Sequence, residues 1–87
     1  MREPQHDEAL INNFLERISA LSVSAFDGAD VTQELTQLMH EAKRQCAGGN
    51  RDVLAARLKE RIDAADREDQ PQVRDTFAMA AALLSKP

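Results

Sequence analysis

Tryptophan and tyrosine are absent from this sequence of 87 residues, and its only aromatic residues are Phe14, Phe26 and Phe77. Cys46 is the only cysteine, which excludes a disulfide within the chain. The sequence also lacks a His/Cys cluster of the kind that holds a structural metal. A core this small rarely supplies more than about 3–5 kcal/mol and is often supplemented by disulfides, metals or partner subunits. Oligomerisation is the remaining route, so we predict a homodimer.

A basic surplus and a long apolar run are also missing. The formal net charge is −4, whereas a protein whose main task is to bind nucleic acid needs a concentrated basic surface. The longest apolar run, from Phe77 to Leu84, is far shorter than the roughly 20 residues of a membrane span. The N-terminal residues are polar and acidic, unlike a secretory signal. We therefore expect a cytoplasmic protein with no membrane segment, and we disfavour DNA as a partner.

Residues that carry enzymatic chemistry do not form a recognisable pattern. The Gly-Gly pair at 48–49 lacks the Lys-Ser/Thr of a phosphate-binding loop, and Cys46 and His40 fall on different faces of one helix. His40 and Lys43 have the His-x-x-Lys spacing of phosphotransfer helical bundles, but Arg44 stands where those bundles usually have glycine. We predict no catalytic, cofactor-binding or metal-binding residue, no cofactor and no enzymatic activity. Phosphotransfer at His40 is the alternative.

Apolar residues recur at helical spacing in four segments, and no segment alternates in the manner of a strand. Asp7 is placed to cap the first helix (residues 7–21), Asp30 the second and Asn50 the third. The fourth helix begins at Pro71 or the next residue and runs to residue 85. The sequence predicts an all-α fold, a small bundle of three to four helices with antiparallel neighbours, in an antiparallel homodimer. We expect a flexible tail (residues 1–6) followed by a single helical regulatory domain (residues 7–87).

The apolar stripes of these helices are predicted to form the core and the dimer interface. The stripes contain Leu10, Phe14, Leu35, Leu38, Met39, Leu54, Leu58, Ile62, Phe77, Ala81 and Leu84. Residues 22–30 form a predicted connector that contains Val23 and Phe26. We interpret Val23 and Phe26 as apolar side chains that hold this connector on the core. The alternative is that Phe26 anchors a partner protein.

Charged residues of the third helix, and of the acidic joint that follows it (residues 66–70), form the predicted partner surface. That surface consists of Arg57, Arg61, Asp66, Glu68 and Asp69. Asp63 and Arg67 are four residues apart on a helix and are predicted to form an ion pair. An acidic joint that is merely solvated is the alternative interpretation.

Short motifs in the first two helices follow one another in a recognisable order. Ala9-Leu10 followed by Phe14 has the pattern Ala-Leu/Ile-x-x-x-Phe. Residues 31–39, VTQELTQLM, place an aliphatic residue and a threonine before Leu-Met. The third and fourth helices continue the order with a Leu-rich segment, LAARL at residues 54–58, and with VRDTF at residues 73–77.

In this order the motifs resemble the small bacterial YmgB/AriR family, also called biofilm development regulators or two-component connector proteins. The resemblance covers residues 9 to 84. The chain departs from the family in being longer at residues 22–30 and 43–49 and in being richer in Arg and Ala. The resemblance implies a homodimeric helical regulator without enzymatic activity, linked to biofilm formation, acid resistance and phosphorelay signalling.

Three functions remain open from the sequence. The first is a connector that binds a response regulator or other signalling protein, as the resemblance implies. The second is a DNA- or nucleoid-associated transcriptional regulator of the Hha type, for which the local evidence is the arginines along the third helix: Arg51, Arg57, Arg61 and Arg67. The third is an inhibitor or immunity-type protein whose acidic joint covers a basic partner, although it has no Tyr or Trp to act as an anchor.

Overall fold

A computed structural model describes residues 7–86 of the chain. Over this range the chain forms four α-helices and no strand: α1 (Glu8–Phe26), α2 (Thr32–Gln45), α3 (Gly49–Arg67) and α4 (Pro71–Ser85). The predicted all-α fold is confirmed, with four helices. The predicted flexible tail, residues 1–6, lies outside the described residues.

The four helices run alternately up and down. Nη2 of Arg51, in the first turn of α3, donates to the carbonyl of Leu84 at the end of α4 (2.6 Å), so these two helices are antiparallel. The backbone N–H of Asp7 donates to Oδ1 of Asn50 (2.8 Å), which joins the starts of α1 and α3. α4 packs against each of the other three helices, and most extensively against α3. The ends of α1 and α3 therefore lie together with the starts of α2 and α4, at what we call the joint end.

The predicted apolar stripes fill the core of a single chain. Eight of their residues are buried: Phe14, Leu35, Leu38, Met39, Leu54, Leu58, Phe77 and Leu84. Leu10, Ile62 and Ala81 are partly buried and pack against them. The eight buried side chains are therefore not available to a second chain, and the homodimer stays a prediction whose contact surface has to consist of exposed or partly exposed residues.

The first helix is longer than predicted. It continues past Leu21 to Phe26, so the predicted connector at residues 22–30 is reduced to residues 27–31. Serine favours turns, but Ser22 is 2 % exposed and its hydroxyl donates to the carbonyl of Ser19 (2.6 Å). A serine whose hydroxyl is satisfied by a preceding carbonyl is compatible with a helix interior.

The first helix ends at a glycine in the left-handed conformation. Gly28 has φ +99°, and its N–H donates to the carbonyl of Ala25 (3.0 Å). The N–H of Ala29 donates to the carbonyl of Ser24 (3.0 Å). These two bonds make up a Schellman motif, which satisfies carbonyls at the end of a helix. Asp27-Gly28 is therefore a turn, as its residue types indicate, but the helix reaches it directly.

The predicted caps of α2 and α3 have different outcomes. Oδ1 of Asp30 accepts from the N–H of Thr32 (3.0 Å), and this hydrogen bond lowers the pKa of the Asp30 carboxyl below its usual value. Val31 nevertheless occupies the N-cap position of α2, so Asp30 lies one residue before the cap position predicted for it, although its side chain accepts from the first helical N–H. The prediction that Asn50 caps α3 is wrong, because Asn50 lies inside the first turn and Gly48 is the capping residue. The Asn50 side chain instead holds the start of α1.

Candidate functional site

Two of the three large hydrophobic side chains that are exposed within residues 7–86 lie at the joint end, and the third lies near the middle of α4, in an adjoining depression. The three are Val23, Phe26 and Met79, with exposed fractions of 61 %, 72 % and 41 %. Exposed apolar residues scattered singly over a surface are ordinary, whereas a group of them at one place marks an interaction site. The joint end is therefore the candidate functional site of this chain.

Three adjoining depressions surround these side chains, and we call them together the joint groove. The first encloses about 300 Å³ between Ser22, Val23 and Phe26 of α1 and residues 69–73. The second encloses about 200 Å³, contains Met79, and shares Gln72 with the first. The third shares Val23 and Val73 with the first and extends towards α3.

The interpretation of Val23 and Phe26 as side chains that hold a connector on the core is wrong. Phe26 is four residues after the buried Ser22 and so lies near the core-facing side of α1. It is nevertheless exposed because it is the last helical residue, and what lies opposite it is the turn at residues 69–73 rather than another helix. The exposure of Phe26 favours the alternative interpretation, an anchor for a partner protein.

A tight turn forms the wall opposite Phe26. Asp69 has φ +56°, its N–H donates to the carbonyl of Asp66 (3.3 Å), and the N–H of Gln70 donates to the carbonyl of Ala65 (2.9 Å). This is a second Schellman motif, with aspartate at the position where glycine is usual. Pro71 begins α4 immediately afterwards, at the helix position that proline favours. The turn therefore fixes the Asp69 side chain at the edge of the joint groove.

The acidic residues at the joint end are of two kinds. Asp66 and Asp75 are each held by Arg74, at 3.3 Å in both pairs. Glu68 and Asp69 are exposed and have no side-chain hydrogen bond or ion pair within residues 7–86. The predicted partner surface contained all three carboxylates of the joint. Of these, Glu68 and Asp69 remain available to an external partner, whereas Asp66 is paired with Arg74. The role of Arg74 was not predicted from the sequence, although Arg74 follows Asp66 by only eight residues, across the turn.

Negative charge predominates along the joint groove. The carboxylates that line it are those of Asp30, Glu68, Asp69 and Asp75. Among the described residues, Arg61 is the one cation in the lining, and its guanidinium lies over the ring of Phe77, 5.9 Å from the ring centroid. The groove therefore has an apolar floor and an acidic rim.

The arginines of α3 do not form a free basic stripe. Nη2 of Arg57 donates to both carboxylate oxygens of Glu8 (2.9 and 3.2 Å), and these bonds raise the pKa of Arg57 above its usual value. Arg51 donates to the carbonyl of Leu84 (2.6 Å). The ion pair predicted between Asp63 and Arg67 is absent from the described structure. Arg57 also does not line the joint groove, whereas Arg61, Glu68 and Asp69 do.

His40 on α2 and Cys46, the residue that follows this helix, do not come together in a site. His40 is exposed, whereas Cys46 is fully buried, and burial raises the pKa of its thiol. Within residues 7–86, no group of three or more His, Cys, Asp or Glu residues is arranged to hold a metal ion. None of the four helices described is long and apolar enough to cross a bilayer.

No protein-family model, curated protein or solved structure matches this chain. The resemblance to the YmgB/AriR family therefore rests on the motifs quoted above.

Proposed function

We propose that this chain is a small non-enzymatic regulator that acts by binding a signalling protein, and that the joint groove is its docking surface. The observation that carries the proposal is the location of Val23, Phe26 and Met79. All three border the joint groove and remain exposed, whereas the side chains of the core cluster are buried. Large apolar side chains in contact with water gain free energy when a partner covers them.

The resemblance to the YmgB/AriR family supports a more specific form of this proposal. In that form the chain is a cytoplasmic connector that binds a response regulator or other two-component protein. It would then influence biofilm formation and acid resistance.

DNA binding has less support from the geometry. Arg51, Arg57 and Arg61 are engaged within the chain, and the joint groove is acidic. Phosphate contacts release counterions, so DNA binding would weaken steeply with salt, whereas an apolar protein interface would not. An inhibitor or immunity-type protein shares the docking surface proposed here. The exposed Phe26 supplies an aromatic anchor for either type of protein partner.

A capture experiment with matched variants tests the proposal. The wild-type chain, Phe26→Ser and Ala55→Ser are immobilised and exposed to cell extract. Ala55 is exposed on α3 and does not line the joint groove, so its substitution controls for the helix propensity of serine. We expect a protein that is retained by the wild type and by Ala55→Ser and lost with Phe26→Ser. A partner retained equally by all three would show that docking does not use the groove.

A further inference from the structure

We infer that the joint groove accepts a basic amphipathic helix of the partner protein. The inference rests on the proposed function above and specifies the chemistry of the partner. It follows from three properties of the groove: its apolar floor, its acidic rim and its location between helix ends.

The floor of the groove fits apolar anchor side chains. Val23 and Phe26 form the side contributed by α1, and Pro71 and Val73 form the side contributed by α4. The main depression, about 300 Å³, is at the lower limit of pockets that enclose a whole small molecule. It is open along one side and continues into the depression beside Met79. An elongated open groove suits a row of apolar side chains at helical spacing, as in helix-in-groove recognition.

The rim selects the charge of the occupant. Glu68 and Asp69 have no partner within the described structure, and they flank the apolar floor. Lysine or arginine on the polar face of a docked helix would lie beside these carboxylates and complement them. Nucleic acids and anionic lipid surfaces would be repelled by the same rim.

The rim also argues against a second copy of this chain as the occupant. Two copies that met at their joint ends would bring two acidic rims together at one interface. Like charges placed together across an interface disfavour the pairing. A foreign basic helix buries the same apolar side chains without that repulsion.

Two synthetic peptides of about 18 residues, above the length at which isolated helices are marginal, serve as probes. Both carry leucine at helical spacing on one face; one has lysine at the remaining positions and the other has glutamate. The full chain is labelled with ¹⁵N and titrated with each peptide. We expect the lysine peptide to shift the amide signals of Val23, Phe26 and Val73, and the glutamate peptide to bind at least about tenfold more weakly, because close opposite charges favour one and like charges oppose the other.

Variants separate the apolar and the charged contributions. Phe26→Ala should weaken binding of the lysine peptide about tenfold or more, since burial of a Phe side chain is worth at least that factor. The double variant Glu68→Gln/Asp69→Asn should weaken it severalfold and flatten its dependence on salt between about 0.05 and 0.3 M NaCl. Glu60→Gln/Asp63→Asn makes the same change in net charge on an exposed face of α3 outside the groove. This control should bind the lysine peptide nearly as the wild type does.

The outcomes distinguish this inference from the proposed function. Equal binding of both peptides at the groove would overturn the basic chemistry and leave the docking surface in place. Failure of the lysine peptide to bind would overturn the inference, and the Phe26-dependent capture described above would then decide separately whether the groove docks another kind of partner. A wild-type dimer that becomes monomeric in Phe26→Asp while retaining its helicity would identify the occupant as a second copy and overturn the inference.

Discussion

Phe26 and Phe77 are the same residue type in opposite surroundings. Phe26 is 72 % exposed at the end of α1, whereas Phe77 is 1 % exposed, and the guanidinium of Arg61 lies over its ring. Phe77 lies on an apolar stripe that is visible in the sequence, whereas Phe26 lies in the predicted connector at residues 22–30. Their different surroundings place Phe77 in the core and leave Phe26 outside it, which is why our proposal assigns Phe26 to contact with a partner.

The same substitution at both positions should therefore have different effects on stability. Phe77→Ala leaves a cavity in the core, which typically costs about 3–5 kcal/mol. A domain of this size has little more than that to lose, so circular dichroism at 25 °C should show a large loss of helicity. Phe26→Ala should change the free energy of unfolding by less than about 0.5 kcal/mol, because surface substitutions away from special features are usually that small.

Urea titrations followed by circular dichroism provide the comparison. Equal losses of stability in the two variants would mean that Phe26 packs in the core and that the joint groove is closed in solution.

Among the helix boundaries, the sequence was most informative where the residue type at the boundary itself determines the backbone conformation. Pro71 correctly marked the start of α4. The glycines at 48 and 49 belong to the start of α3, whereas α2 ends at Gln45 with Cys46 as its C-cap. The end of α1 lies later than predicted because serine is compatible both with turns and with helix positions where its hydroxyl has a hydrogen-bond partner. The burial of Ser22 and its bond to the Ser19 carbonyl show that the helical position applies here. The apolar stripes were recovered because helical periodicity reports which face is buried.

The joint groove was not predictable in the same way. It exists because α1 ends level with the turn between α3 and α4, and Phe26 and Asp69 are 43 residues apart in the sequence. Periodicity within one helix carries no information about which distant turn lies opposite its last residue. The acidic residues of the joint were recognised, but their proximity to exposed apolar side chains was not.

The two Schellman motifs offer a test of the joint geometry. Gly28 and Asp69 occupy equivalent positions with positive φ, +99° and +56°. Gly28→Ala should destabilise the chain by about 1 kcal/mol because a Cβ disfavours the left-handed conformation. A Cβ there would meet no atom within 4 Å, so the cost is conformational rather than steric crowding.

The reverse effect is expected at the second motif. Asp69→Gly should stabilise the chain by about 0.5–1 kcal/mol, measured as a shift of the urea midpoint at an unchanged slope. A loss of stability on this substitution would show that the turn at the groove wall has a different backbone conformation.

At the scale of the whole molecule, the helices alternate in direction, so four helix ends lie together at the joint end. Val23 and Phe26, which are exposed, and the carboxylates of Glu68 and Asp69 lie there as well. The eleven residues assigned from the sequence to the core or a dimer interface are buried or partly buried in one chain. The homodimer remains a prediction, and our inference about the groove requires that any such dimer use another surface.

Sedimentation equilibrium tests this requirement. Phe26→Asp should have the same association state as the wild type, because we infer that the joint groove binds a foreign helix and not a second copy. Leu58→Asp serves as the contrast: Leu58 is 0 % exposed, and an unpaired charge in the core should abolish helicity itself. A shift from dimer to monomer in Phe26→Asp with full helicity would contradict the expectation.

Site-specific photo-crosslinking in living cells reports directly on whether the joint groove contacts a partner. A benzophenone amino acid is introduced in place of Phe26 in one strain and in place of Ala55 in another, since both positions are exposed and only the first lines the groove. We predict that irradiation links the chain to another protein from the first position and not from the second. Adducts formed equally from both positions, or from the Ala55 position alone, would contradict the assignment of the joint groove as the docking surface.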